Sequence, residues 1–386
     1  MTTDLDLLDF DSLLTDDERE VRRTVRSFVE RRITPNIAEW YEKAVFPVDL
    51  VPELAEMGLL GFHIKGYGCA GRSAVEYGIA AMELEAGDSG LRTFVSVQGS
   101  LAMSSIAKHG SEEQKQHWLP QMAAGTVIGA FGLTEPTAGS DPGSMQTFAR
   151  RDGDDWVING TKRWIGLGTI AHIAIIWAKT DEGVRGFIVP TDTPGFTARL
   201  LEPKLSMRAS IQTELELNEV RLPSDAILPE ARGLSGPFQC LNEARYGIAW
   251  GVLGAARDSY LTALEYSKTR LQFDKPLAGY QLTQQKLVEM ALEIEKGQLI
   301  ALRLGRLKDE GKLQPHQISI GKLNNTRIAI DIARTARTVL GGNGITLDYS
   351  PLRHANNLES VRTYEGTDEV HTLVIGNHIT GTPAFR

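Results

Sequence analysis

Cysteine is nearly absent from this sequence: Cys69 and Cys240 are the only two among 386 residues. They stand far apart, with no CxxC and no Cys/His cluster around them, which excludes a disulfide framework and argues against a metal site. Two isolated thiols suit a reducing compartment. No apolar run reaches membrane-spanning length, so no membrane association is expected. The opening MTTDLDLLDFDSLL is acidic and shows neither a signal-peptide nor a transit-peptide pattern, and the closing TPAFR carries no retention or peroxisomal signal. The expectation is a soluble, cytoplasmic, bacterial protein. A surplus of positive charge is missing as well. Lys and Arg number 41 against 49 Asp and Glu, giving a net charge of −8 and a pI near 5.6. Such a chain gains nothing from neutralising phosphates, so nucleic acid is not expected as a partner. No internal repeat and no low-complexity segment is visible.

What is present is an enzyme-sized globular composition, 42% hydrophobic and 23% charged, in a chain long enough for two or three domains. Its character changes twice, which predicts an α+β multidomain protein with boundaries near 1–125, 126–232 and 233–386. The first block reads as helical. TDDERE opens with a capping box, Thr15 with Glu18, followed by Val21, Val25 and Phe28 at helical spacing until Pro35. GSEEQ repeats the box with Ser111 and Gln114, and Gly125 closes that helix. The middle block reads as strands forming a β-barrel or sandwich. Asn159-Gly160 predicts one hairpin and Asp181–Gly183 a second. IQTELEL alternates, with Ile211, Thr213, Leu215 and Leu217 on one face. In the last block Leu287, Met290, Ile294, Gly297, Ala301 and Leu304 recur at three and four residues, followed by Ile328, Ile332 and Val339. That is the seam of a helical bundle.

Several segments invite a chemical reading beside a plain one. FGLTEPTAGSDPGSMQT, Phe131–Thr147, is rich in small and hydroxyl residues that let backbone N–H groups approach an anion, yet a connecting loop needs no more. It is neither a P-loop nor a GxGxxG turn. In VLGGNGI a glycine is a C-cap or a close approach. Arg270 and Arg245 are phosphate ligands or solvated charges. Glu365-Gly366, in RTYEGTDEVH, stands at the mouth of the last helix.

Taken together, FGLTEPTAGSD, the RWI at Arg163–Ile165, RLQFDKPLAGYQ, LGGNG and YEGTDEVH resemble, in order and spacing, the acyl-CoA dehydrogenase family of flavoenzymes, over nearly the whole chain. The resemblance implies an N-terminal all-α domain, a middle β-barrel or sandwich domain and a C-terminal four-helix bundle. It implies FAD as cofactor, an acyl-CoA substrate, an electron-transferring flavoprotein as partner and a homo-oligomer, usually a tetramer. Within the family, DSGLRTFVSVQGSL, KLSMRAS, PFQCLNEARYGIAWGVLGA and RHANNLESVRTYEGTDEVH are most similar to the branch acting on glutaryl-CoA. That branch implies dehydrogenation with decarboxylation to crotonyl-CoA, within lysine and tryptophan degradation.

The resemblance also assigns residues. Glu365 matches the catalytic base, which abstracts a weakly acidic thioester α-proton, while a hydride leaves the β-carbon for the flavin. Gly366 allows close backbone approach and an oxyanion donor. Burial against Tyr364 is expected to raise the base's pKa toward neutrality. Glu85, Arg92, Thr93, Ser96, Ser140, Phe238, Leu241, Asn242, Arg245 and Tyr364 match acyl-CoA contacts. Arg92 matches the arginine that receives the distal carboxylate, on the argument that a buried guanidinium needs an anion. Phe131, Leu133, Thr134, Gly139, Ser140, Trp164, Ile165 and Gly166 match the flavin cradle. Arg270, Gln272, Phe273, Gln281, Thr338, Leu340, Gly341 and Gly342 match contacts to the adenine-nucleotide half, made in the family from a neighbouring subunit; Thr367 and Glu369 complete the set. One departure stands out: Gly166 stands where the family usually has a Thr or Ser hydroxyl, and the plant short-chain acyl-CoA oxidases, which this sequence also resembles, likewise have glycine there. An oxidase, a dehydrogenase of another dicarboxylyl-CoA such as adipyl-CoA, and a catalytically silent flavin-binding relative are the alternatives.

Overall fold

In the computed structural model, which describes residues 5–385, helices give way to strands and strands to helices. The first part comprises α1 (Asp16–Phe28), α2 (Ile37–Lys43), α3 (Val51–Glu56), α4 (Ala74–Gly87), α5 (Ser89–Val95), α6 (Ser104–His109) and α7 (Glu112–Ala123). Both predicted capping boxes form, Thr15 with Glu18 and Ser111 with Gln114. A third, Ser73 with Glu76, starts α4. Helix α4 is buried on nearly every side, as expected of a helix apolar all round. Wide turns of five-residue spacing extend α1 over Val29–Ile33 and join α5 to α6 over Ser96–Met103; periodicity did not anticipate either.

The middle part holds β1 (Gly129–Gly132), β2 (Phe148–Asp152), β3 (Asp155–Gly166), β4 (Ile173–Thr180), β5 (Gly183–Pro190), β6 (Phe196–Leu200) and β7 (Gln212–Leu222). They form one curled sheet in the order β1-β4-β2-β3-β7-β6, with β5 on β4. The hairpin at Asp181–Gly183 is present, closed by Thr180 opposite Gly183. The one expected at Asn159-Gly160 is not. Those residues lie inside β3, and the β2–β3 turn falls instead at Gly153-Asp154. The physical reason is a bulge. Register against β7 shifts between Ile158 and Gly160, the Asn159 side chain bonds Glu219 on β7, and a Cβ on Gly160 would lie 2.4 Å from Thr147 Oγ1. The Asn-Gly pair therefore serves close backbone approach, not a reversal. Strand β4 is buried on both faces. Ala174, Ile176 and Ala178 fill the curl, while Ile173, Ile175 and Trp177 pack against the helices.

The last part is a bundle of α8 (Ser235–Thr269), α9 (Gln281–Asp309), α10 (Pro315–Val339) and α11 (Pro351–Val361), followed by α12 (Asp368–Thr380). A two-residue ribbon, β8 (Leu271–Gln272) and β9 (Lys275–Pro276), links α8 to α9. The predicted seam of α9 is buried throughout. Buried charge ties the parts together: Glu83 on α4 accepts paired bonds from Arg257 of α8 and from Arg26 of α1. Among the described residues no helix is long and apolar enough to cross a membrane.

Candidate active site

The turn between α11 and α12 has an unusual backbone. Glu365 has φ 54° and Gly366 φ 99°, two left-handed residues in succession. A non-glycine residue there costs on the order of 1–2 kcal/mol, so something must hold it. Three cationic contacts do. Lys322 Nζ donates to the carbonyls of Tyr364 (2.6 Å) and Gly366 (2.5 Å), and Arg245 Nε donates to that of Glu365 (2.7 Å). Thr367 caps α12 by accepting from Val370 N, and Asp368 ties the turn to Arg362 and Arg327. Gly366 is required twice over. Besides its φ, a Cβ there would lie 2.8 Å from His371 Nε2.

The Glu365 carboxylate is turned inward, with Oε2 buried and unpartnered by any protein group. Burial raises its pKa above the ordinary carboxylate value; the guanidinium of Arg92, Lys322 and Arg245 oppose that rise. A buried carboxylate with elevated basicity and no hydrogen bond to spend is suited to taking a proton. His371, behind Gly366, is pushed down to about 3 by burial and stays neutral.

Arg92, on α5, is fully buried. Its Nε donates to Glu85 Oε2 of α4 at 2.6 Å and its Nη2 to the Tyr364 hydroxyl at 2.6 Å, which Thr93 Oγ1 also approaches at 3.2 Å. This corrects the sequence argument. Glu85 is the direct ion-pair partner of Arg92, so the guanidinium does not lack an anion. What it lacks is a partner for Nη1, and the Ser96 hydroxyl beside it on the chain is likewise buried and unsatisfied. Two such buried donors call for an acceptor. Asp88 caps α5 through Gly90 N and binds Arg353 and Asn357 of α11, which fixes α5 against the segment leading to Glu365. Phe238, Leu241, Asn242 and Arg245 lie at three- and four-residue spacing on one face near the start of α8, with Arg245 Nη1 donating to Asn242 Oδ1 at 3.4 Å.

The segments expected to cradle a flavin do meet. Arg163 N donates to Thr134 O at 2.9 Å, setting the loop after β1 beside the end of β3. Phe131, Leu133 and Ile165 are buried, whereas Gly139 and Ser140 are exposed, with open space where a Gly139 side chain would stand. Trp164 is 57% exposed and left-handed (φ 63°), presenting its indole at this edge with the Arg163 guanidinium 5.3 Å from the ring centroid. An aromatic plane, a loop of open backbone and a buried base fit a flat cofactor with an anionic tail. At Gly166 a Cβ would stand 3.1 Å from Val97, so a hydroxyl-bearing residue would require that side chain to yield. The loop is anchored by a buried pair missed at the level of sequence. Lys162 Nζ donates to Glu135 Oε1 (2.8 Å) and Leu133 O (3.1 Å), while Glu135 accepts from Gln146 N and Thr147 N.

The remaining predicted residues lie elsewhere. Arg270, Gln272, Phe273, Gln281, Thr338, Gly341 and Gly342 are exposed and cluster at the far end of the bundle, where Asn343 Nδ2 donates to Tyr266; Leu340 is buried beneath them. From Arg245 to Tyr266 along α8 is about 30 Å at ~1.5 Å per residue. The residues expected at the nucleotide end thus lie far along α8 from Arg245 and the turn it holds. Glu369 is exposed on the first turn of α12. Lys322 was also missed, though a signal existed. It sits in the buried register of α10 (Ile318, Lys322, Asn325, Ala329, Ile332, Ala336), where a cation is out of place unless something needs it.

This arrangement recurs in known proteins. The N-terminal, middle and C-terminal domain signatures of acyl-CoA dehydrogenases match residues 15–126, 130–220 and 231–380. The human mitochondrial short-chain specific acyl-CoA dehydrogenase is 36% identical over 364 residues, covering 92% of this chain and 88% of that one. A glutaryl-CoA dehydrogenase from Mycobacterium smegmatis, solved in complex with FADH2, superposes with a TM-score of 0.98 at 61% identity over 99% of both chains. A chain in the structure of the electron transferring flavoprotein of Acidaminococcus fermentans aligns with a TM-score of 0.92 at 31% identity, over 96% of this chain and 99% of its own. With its three domain types matched in order and a relative this similar along almost its full length, the chain belongs to the acyl-CoA dehydrogenase family.

Proposed function

We propose that this FAD-dependent enzyme oxidises glutaryl-CoA and decarboxylates the product. The observation that carries the reading is Arg92: buried, tied through Tyr364 to the turn that bears Glu365, and left with one donor free. A distal carboxylate is the natural acceptor for that donor and for Ser96. The similarity to the M. smegmatis glutaryl-CoA dehydrogenase supports the same substrate.

In this reading Glu365 takes the α-proton of the thioester. Arg245, through the Glu365 carbonyl, and the conformation of Gly366 hold its carboxylate and the adjoining backbone amide toward the acyl chain. FAD, when bound, accepts the hydride that leaves the β-carbon. The Phe131–Ser140 loop, Trp164–Gly166, Thr367 and Glu369 would hold the cofactor, and Phe238–Arg245 would line the path of the thioester. Arg92 keeps the distal carboxylate of glutaconyl-CoA in place. When its bond to Cγ breaks, CO2 leaves, the electron pair enters a dienolate, and protonated Glu365 returns the proton to give crotonyl-CoA. Electrons then pass to an electron-transferring flavoprotein, a reading supported by the A. fermentans relative.

The exposure of Arg270, Gln272, Phe273, Gln281, Thr338, Gly341 and Gly342, far along α8 from Arg245, supports an oligomer in which they serve a neighbouring subunit's FAD, a tetramer of cytoplasmic subunits each divided near residues 125 and 232. The experiment is anaerobic mixing with glutaryl-CoA, following flavin bleaching and CO2 release together. Bleaching with stoichiometric CO2 is expected. Bleaching without CO2 would reassign the enzyme to a non-decarboxylating dehydrogenation, and no bleaching would remove the activity.

A further inference from the structure

Lys322 is 1% exposed, and nothing in the reaction as described requires it to be a lysine. Its ammonium sits between two carbonyls of the base-bearing turn, at 2.6 and 2.5 Å, and the other fully buried residues of α10 around it are apolar or small and uncharged. Carbonyls are dipoles and do not neutralise a buried charge. The two carboxylates that face Lys322 are Glu365 and Asp368, and Asp368 already holds Arg327 and Arg362. The anion left for Lys322 is the base itself. The groups around Glu365 are Arg92 from α5, Arg245 from α8, Lys322 from α10, Tyr77 from α4, His371 from α12 and Tyr364 within the turn. Of the three cations, Arg92 is committed to Glu85 and Tyr364, which leaves Lys322 and Arg245 as those that grip the turn itself.

We propose that Lys322 is the positioning residue of the base: it locks the left-handed Tyr364–Gly366 turn so that the Glu365 carboxylate faces the acyl chain, and it supplies the counter-charge that keeps that carboxylate ionised before proton abstraction. The inference rests on Glu365 being the base. Burial lowers the pKa of Lys322 while the Glu365 carboxylate opposes the drop, and the mirror relation holds for Glu365. Removing the lysine therefore raises the pKa of the base further, in addition to loosening it.

The test uses the FAD-loaded enzyme with the variants Lys322→Met and Glu365→Gln, reading the anaerobic rate of flavin bleaching by glutaryl-CoA across pH. For Lys322→Met the expected result is retained FAD, bleaching slowed by about 10²-fold through misplacement of the base, and an acid limb moved to higher pH. A merely structural role would lower Tm and yield but leave the limb in place. A holoenzyme of Lys322→Met with unchanged rate and limb overturns the proposal. If that variant does not retain FAD, Lys322→Gln, which keeps a donor without the charge, takes its place, and an unmoved limb overturns the proposal equally. Full activity in Glu365→Gln would instead overturn the base assignment, which separates the two failures.

Discussion

Replacing Arg92 by methionine is expected to do two separable things. The side chain is buried against a Glu85 carboxylate that is itself fully buried. Removing the guanidinium leaves that carboxylate with the Ser89 hydroxyl, at 2.8 Å, as its remaining hydrogen-bond donor. Breaking a buried ion pair from one side costs about 3–5 kcal/mol, which lowers Tm by on the order of 10 °C. The second effect concerns the substrate. A distal carboxylate loses a charge-assisted hydrogen bond of about 1.5–3 kcal/mol, or roughly 10- to 150-fold in kcat/KM. The double variant Arg92→Met/Glu85→Gln removes the stranded charge, so most of the lost stability returns while the defect toward glutaryl-CoA persists. Butyryl-CoA, which has no distal carboxylate, is the internal control and retains its kcat/KM in the double variant. Thermal unfolding and paired kinetics with the two thioesters read the outcome. An equal loss with both substrates would refute the carboxylate role, and so would unimpaired turnover of glutaryl-CoA.

Three further outcomes are expected. The acid limb of kcat/KM lies above the ordinary carboxylate value of 4.5, because burial raises Glu365 and activity falls as pH drops through its pKa; a limb in the ordinary range contradicts this. Gly366→Ala places a methyl 2.8 Å from His371 Nε2 at a φ of 99°, so bleaching slows by about 10²-fold with FAD retained; an unchanged rate would show that the turn tolerates displacement. Glu135→Gln removes the charge paired with Lys162 and weakens an acceptor of two loop amides, at a cost of about 3–5 kcal/mol, and FAD dissociates more readily from a sheet that stays folded by circular dichroism. Unaltered FAD retention would separate this pair from the cofactor loop.

Much of the site was legible because it is written locally. The Tyr364–Thr367 motif and the small-residue loop after β1 are contiguous; composition alone left them open, and their resemblance to a known family's motifs marked them. The capping boxes and the α9 seam were legible for the same reason: each depends on residues three or four apart. The Asn159-Gly160 hairpin failed where local propensity met a tertiary demand, the approach of β3 to Thr147 and β7. The argument for Arg92 was incomplete in the same way. Its partner Glu85 is close in sequence, yet only the junction of α4 and α5 makes the two meet at 2.6 Å.

The sequence by itself determined the order of helices, sheet and bundle and, through motifs resembling a known family, the family and the residue proposed as base, because periodicity, caps and short motifs are properties of neighbouring residues. Only the tertiary structure decided that Glu365 Oε2 is buried without a partner, that Lys322 and Arg245 grip its turn from two other helices, that Arg92 is already paired, and that the residues expected at the nucleotide end lie far along α8 from Arg245. Burial, charge pairing and backbone strain arise from groups distant in the chain, and no window of sequence contains them.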